Sequence, residues 1–173
     1  MTGKFHEANG AKEFGSGEVK LDDLYQEVIL DHNRRPRNFK KLEDANAYAH
    51  GHNPLCGDDY FLYLVVDPSG LIKKIGFEGD GCAISKSSAS MMTTAVEGKS
   101  IQEVETLKDH FIHLLTNDKV SEPVRTGVGK LKIFEGVKQF PVRVKCATLI
   151  WRTLEEALKD KSQRKEEVST EKE

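Results

Sequence analysis

The sequence predicts an α+β domain: a β-hairpin with helices over at least one of its faces. Two patterns carry that reading. YFLYLVVD (60–67) is mostly aromatic or β-branched, closes on the turn DPSG and resumes as LIKKIGFEG (71–79), which reads as a hairpin. Apolar residues also recur at helical spacing near both ends of the chain, at Leu21, Leu24, Tyr25, Val28 and Ile29 and again at Ala147, Ile150, Trp151, Leu154 and Leu158. With 173 residues, the chain has the usual size of one domain with a real core.

The elements follow in order. Residues 1–19 are rich in Gly and charge without an apolar period, so a flexible tail is expected there. The first helix starts near Lys20, with Asp22 and Asp23 in the turn where carboxylates complement the helix dipole. It stops before Pro36, which drives Arg35 out of helical angles. NRRPRNFKKL then gathers Arg34, Arg35, Arg37, Lys40 and Lys41, a solvated loop or a docking surface for an acidic partner. Residues 45–50 give a weak first strand ahead of the hairpin. Both faces of FLYLVV are apolar, which is why helices must cover at least one of them.

Gly79, Asp80 and Gly81 lead into CAISKSSASMMTTAVEG, a helix of small residues ended by Gly98, with Met91 and Met92 as core filler. Ser100 and Glu103 form a capping-box signature that opens a third helix running to about Leu115. Residues 116–140 read as loop plus a short helix around VGKLKIFEGV. The last helix buries Trp151, and beyond Lys159 the chain is polar, charged and expected to fray. The organisation is a tail (1–19), one domain (20–160) and a charged tail (161–173).

Composition narrows the function classes. A net charge of −2 and a pI near 6.3 imply no strong field for nucleic acid or a membrane surface. The longest apolar runs fall far short of a membrane span, and the N-terminus lacks a signal-peptide pattern. The expectation is a cytoplasmic protein with no nucleic-acid or membrane partner. Three cysteines without an export signal read as reduced thiols, available for reactivity, metal binding or packing.

Cys56 lies in the turn NPLCGDD, and Cys82 follows a Gly-rich turn and opens a helix. Cys146 is expected to end an extended segment, FPVRVK, and open the last helix. Thiols at helix N-termini are more acidic, hence better ligands and nucleophiles. A lone buried cysteine behaves as a small hydrophobe. Three of them, each at a junction of elements and beside Gly, Asp or a cation, point to a shared site, although Cys-x25-Cys-x63-Cys is not a zinc-ribbon spacing. If they converge, three thiolates and one carboxylate suit Zn(II), and iron–sulfur species accept similar ligands. Asp58 falls on the same side as Cys56 if Gly57 leads into a strand, with Asp59 the second choice. His50 and His52 are rival nitrogen donors, and His110 and His113, three apart on the third helix, read as exposed.

NPLCGD, GDGCAISKSSASMMT and FPVRVKCATLIW resemble, in order, the three cysteine motifs of the IscU/NifU-type iron–sulfur cluster assembly family, over about residues 20–158. The resemblance is nearest the SufU branch. Lys145 stands before the third cysteine, where IscU-like proteins carry histidine, and the stretch from Cys82 to Cys146 is longer by on the order of twenty residues, a tolerable surface insertion. FPVRVK also lacks the Leu-Pro-Pro-Val-Lys segment that the dedicated Hsp70 chaperone of IscU reads.

The resemblance implies a small three-stranded antiparallel sheet with helices packed on one side and the metal site at an exposed end. It maps Cys56, Asp58, Cys82 and Cys146 onto the family's metal-site residues, holding Zn(II) or, alternatively, a [2Fe–2S] cluster or iron. It also implies a cysteine desulfurase of the SufS type as sulfur donor, and downstream assembly proteins or apo-proteins as recipients. Cys56, in a turn where the others are held by helix ends, is the expected sulfur acceptor, with Asp58 as the exchangeable ligand. Lys145 would raise the thiolate character of Cys146 or pair with an acidic group, and Arg143 would dock the desulfurase. Three function classes follow: a zinc-bound sulfur acceptor, a cluster-building scaffold, and a purely structural zinc module.

Overall fold

The computed structural model describes residues 16–165 and 167–172. Of the tail expected over residues 1–19, residues 1–15 lie outside the described residues, and residues 16–19 belong to the first helix instead. Helix α1 (Ser16–Arg34) begins earlier than its apolar stripe implies and ends before Pro36, as the proline requires. Strands β1 (Ala47–Asn53), β2 (Asp58–Val66) and β3 (Ile72–Asp80) form an antiparallel meander. Tyr60, Leu62 and Leu64 alternate onto the buried face of β2, and Phe61 onto the open face.

Helices α2 (Ala83–Val96), α3 (Ile101–Thr116), α4 (Glu122–Val128) and α5 (Pro141–Ala157) complete the order, with a 3₁₀ run (Gly129–Gln139) between the last two. The capping box is present: Ser100 Oγ accepts the Glu103 N–H, and the Glu103 carboxylate accepts the Ser100 N–H. Helix α4 starts about two turns earlier than the sequence suggests, with Pro123 in its first turn. α5 is the central helix. Fully buried Trp151 stacks on Phe111 of α3 at 4.7 Å. The small side chains of α2 let it approach closely enough for the Ser88 hydroxyl to donate to the Ala147 carbonyl of α5 at 2.6 Å. That contact holds the start of α2 and the second turn of α5 in one relation, and each of these carries a cysteine.

Two expectations are corrected. The sheet has four strands in the order β3-β2-β1-β4, and the fourth makes it mixed. β4 (Val168–Ser169) pairs parallel with β1, Gly51 opposite Val168 and His52 opposite Ser169, so the charged end of the chain docks on the β1 edge instead of fraying. FPVRVK is also not extended. Pro141 occupies the first turn of α5, and Cys146 therefore lies in the second turn of that helix instead of at its start.

Candidate metal centre

The β1–β2 hairpin builds one wall of the site. Asn53 and Asp58 face each other as its last pair, which puts the turn 54–57 and Cys56 at the tip. Gly57 has φ +70°, a left-handed conformation that costs glycine little and lets the chain double back between Cys56 and Asp58. Cys56 is partly exposed, whereas Asp58 is fully buried. Asp58 is held from three sides. Its Oδ1 accepts the Cys82 N–H at 2.9 Å and the Ser85 hydroxyl at 2.9 Å, and its Oδ2 accepts the Asn53 amide at 2.9 Å. Tyr60 supports Ser85 through a 2.9 Å hydroxyl contact, and burial pushes its phenol well above the usual range. Gly81 leaves room for this packing, since a Cβ there would meet Asp58 Oδ1, Ser85 Oγ and the Tyr60 hydroxyl, each at 2.5 Å.

Cys82 caps α2, its sulfur accepting the Ser85 N–H at 3.4 Å. The buried Cys146 thiol donates to Cys56 Sγ at 3.1 Å and accepts from Asn53 Nδ2 at 3.4 Å. The Cys146 thiol beside Cys82, with the Ser85 N–H and hydroxyl, outweighs burial and the Asp58 carboxylate, and holds the Cys82 thiol down at about 6. Cys146 is pushed strongly upward by the neighbouring Cys82 thiolate, by burial, and by Cys56 and Asp58. Of this pair, Cys82 is the thiol that ionises readily, and Cys146 beside it resists a second charge.

Three of the four expected donors are placed to hold a metal ion: the donor atoms of Cys56, Asp58 and Cys146 lie within 4.8 Å of one another. The Cys82 sulfur falls outside that group, beside the Cys146 thiol. Tetrahedral zinc with Zn–S bonds of about 2.3 Å has S···S edges near ~3.8 Å, so the 3.1 Å contact between Cys56 and Cys146 needs only modest opening.

The remaining candidates sit elsewhere. Asp59 points to the other face of β2, where its carboxylate meets His50 Nε2 at 2.7 Å and His52 Nδ1 at 3.5 Å. His50 stacks on Phe61, and His113 is bonded to Asn117 on α3, where His110 packs beside Gly127. Lys145 is half-exposed with Nζ 3.9 Å from the Glu171 carboxylate, and Arg143 lies over the Phe140 ring. Asn53, Ser85 and Tyr60 were not legible as site residues. The one sequence signal was Ser85, three positions after a capping Cys82.

Residues 24–168 match the family model for the NifU-like N-terminal domain. The chain belongs to that family. Among NifU-like relatives, the zinc-dependent sulfurtransferase SufU of Bacillus subtilis is 37% identical over 140 residues, covering 81% of this chain and 92% of that protein. The iron–sulfur cluster assembly scaffold protein IscU of Streptococcus pyogenes is 40% identical over 140 residues, covering 81% and 86%. The crystal structure of FiSufU from Fervidobacterium islandicum AW-1 superposes with a TM-score of 0.71 at 36% identity, covering 77% of this chain and 95% of that one. The N-terminal part of a NifU-like protein from Brucella abortus gives a TM-score of 0.68 at 25% identity, covering 79% and 93%. The α+β architecture with helices on one side of the sheet is that of these NifU-like structures. Among the described residues, no helix is long and apolar enough to cross a membrane.

Proposed function

We propose that this chain works in iron–sulfur cluster assembly in the cytoplasm as a zinc-bound sulfur acceptor, taking sulfane sulfur from a SufS-type cysteine desulfurase and handing it to downstream assembly proteins or apo-proteins. The observation that carries this reading is the contrast between the thiols. Cys146 is buried in α5; Cys82 and Cys56 are both partly exposed, but Cys82 is fixed as the cap of α2 whereas Cys56 sits on a turn. Cys56, Asp58, Cys82 and Cys146 would hold Zn(II), which when bound keeps the thiols deprotonated at neutral pH and offsets their mutual repulsion. Cys56 is the group that can swing toward a partner while Cys82 and Cys146 stay in place.

In the transfer, the Cys56 thiolate attacks the terminal sulfur of the donor's persulfide. A new S–S bond forms on Cys56, the donor's S–S bond breaks, and the donor cysteine leaves as a thiolate. Asp58, held by Asn53, Ser85 and the Cys82 N–H, keeps the hairpin end in register as Cys56 moves. Lys145 contributes positive charge next in sequence to Cys146, tethered by Glu171, and Arg143 offers a cation at the same end for the acidic surface of a donor. The SufU relative, named as a zinc-dependent sulfurtransferase, and Lys145 in place of the scaffold branch's histidine both support this reading.

A second reading, a scaffold that builds a [2Fe–2S] cluster on the three cysteines, is favoured by the relatives named IscU and by the thiolate-rich donor set. Metal and sulfide analysis of anaerobically purified protein separates the two: about one zinc per chain and no sulfide supports the acceptor, iron with sulfide the scaffold. Mass spectrometry after reaction with a cysteine desulfurase then tests the acceptor thiol. Persulfide is expected on Cys56 and lost in Cys56→Ala; an undiminished yield in that variant refutes the assignment. A purely structural zinc module would hold zinc and accept no sulfur at all.

A further inference from the structure

Among the described residues, the C-terminal segment meets Asn53 through a hydrogen bond from the Thr170 hydroxyl, which satisfies the amide oxygen that faces away from Asp58. Resting on the metal-site reading above, we infer that Thr170 and Asn53 are positioning residues, with residues 167–171 acting as a strap that holds the Asp58 carboxylate and the Cys146 thiol in ligating position.

The chain of contacts is short and buried. Asn53 and Asp58 are fully buried, and Thr170 is 4% exposed. The Asn53 amide turns its NH₂ toward Asp58, whose carboxylate oxygen accepts. From there it donates to Asp58 Oδ2 at 2.9 Å and to Cys146 Sγ at 3.4 Å. Its oxygen then faces the opposite way and would be buried without a partner, except that the Thr170 hydroxyl donates to it at 2.9 Å. Removing that hydroxyl leaves a buried acceptor unsatisfied, which favours rotation of the amide away from the two groups it holds.

The strap is anchored on both sides of Thr170. Upstream, Val168 and Ser169 pair with β1, and Glu167 Oε2 lies 3.5 Å from His50 Nδ1. Downstream, Glu171 meets Lys145, the neighbour of Cys146. The family match ends at residue 168, two positions short of Thr170, so this contact is made by a segment outside the part shared with the family model.

The test compares Thr170→Val, which keeps the shape and loses the hydroxyl, with Thr170→Ser, which keeps the hydroxyl, and with a chain ending at Lys165. In metal-free, reduced protein, iodoacetamide labelling is followed residue by residue by peptide mass spectrometry. Cys146 is expected to label roughly tenfold faster in the truncated chain and roughly threefold faster in Thr170→Val, with Thr170→Ser close to wild type. Zinc-loaded proteins are then challenged with a chromogenic chelator, and release is expected to accelerate about 3–10-fold in Thr170→Val and to be restored by Ser.

Wild-type Cys146 labelling in both Thr170→Val and the truncated chain overturns the inference, as does wild-type zinc release in a protein that holds zinc. A wild-type chain that binds no zinc refutes the metal reading alone, and the Cys146 rates still decide whether the strap positions these groups. Equal acceleration in Val and Ser also overturns it, because it assigns the effect to packing and not to the hydroxyl.

Discussion

Gly81→Ala puts one methyl group where the site has no room. The added Cβ lies 2.5 Å from Asp58 Oδ1, Ser85 Oγ and the Tyr60 hydroxyl together, whereas ordinary contact begins near 3.4 Å, so at least two of these groups must retreat by most of an ångström. None of the three is the free end of a flexible side chain, since Asp58, Ser85 and Tyr60 are all buried and bonded to one another. Overpacking of this kind costs about 1–3 kcal/mol. Loss of one of the Asp58 bonds adds about 1 kcal/mol. A total of about 2–4 kcal/mol lowers the melting temperature of a chain this size by roughly 5–15 °C. Displacing Asp58 is also expected to weaken metal binding by about 10–100-fold. The assay is a thermal melt of metal-free protein, followed by titration with Co(II), whose thiolate bands report the donor set. A variant that melts with wild type and gives the same cobalt spectrum and affinity would refute the claim that Asp58 is packed into place by this pocket.

Gly57→Ala meets no atom within 4 Å, so its cost is conformational alone, about 1 kcal/mol, and Gly57→Asn should recover part of it because asparagine tolerates a left-handed backbone; chemical denaturation ranks the three. Trp151→Ala empties the centre of the core beneath Phe111 and should cost about 3–5 kcal/mol in urea unfolding followed by circular dichroism. In metal-free protein the Cys82 thiol, held at about 6, should be the first to alkylate. Its rate should rise through pH 6 and level off near neutrality, whereas Cys146, pushed upward by that thiolate, should remain slow across the range. A Cys82 profile that rises only above pH 8 would contradict the environment described for it.

Most of the fold was legible because its signals are local. The Ser100–Glu103 capping box, the DPSG turn and the glycine turn ahead of Cys82 each fix a boundary from a few adjacent residues. The start of α5 was misread because Val142 and Val144 alternate as a strand would, and this outweighed Pro141, whose fixed φ suits the first turn of a helix. β4 had no signal to find: Val168 and Ser169 lie in a polar tail and become a strand only because β1 has an open edge beside them. The site divides in the same way. Cys56, Asp58, Cys82 and Cys146 carry recognisable chemistry at recognisable junctions. Asn53 reads as an ordinary Asn-Pro turn residue and Thr170 as part of a solvated tail, and their link across 117 positions exists only in three dimensions.

The claim on which the rest depends is that three sulfurs and the Asp58 carboxylate share one ion. Zinc K-edge X-ray absorption on the zinc-loaded protein measures this directly. The expected spectrum fits three sulfur neighbours at about 2.3 Å and one oxygen at about 2.0–2.2 Å, with Asp58→Ala altering the light-atom shell alone. A first shell with fewer than three sulfurs, or a protein that holds no stoichiometric metal, would contradict it.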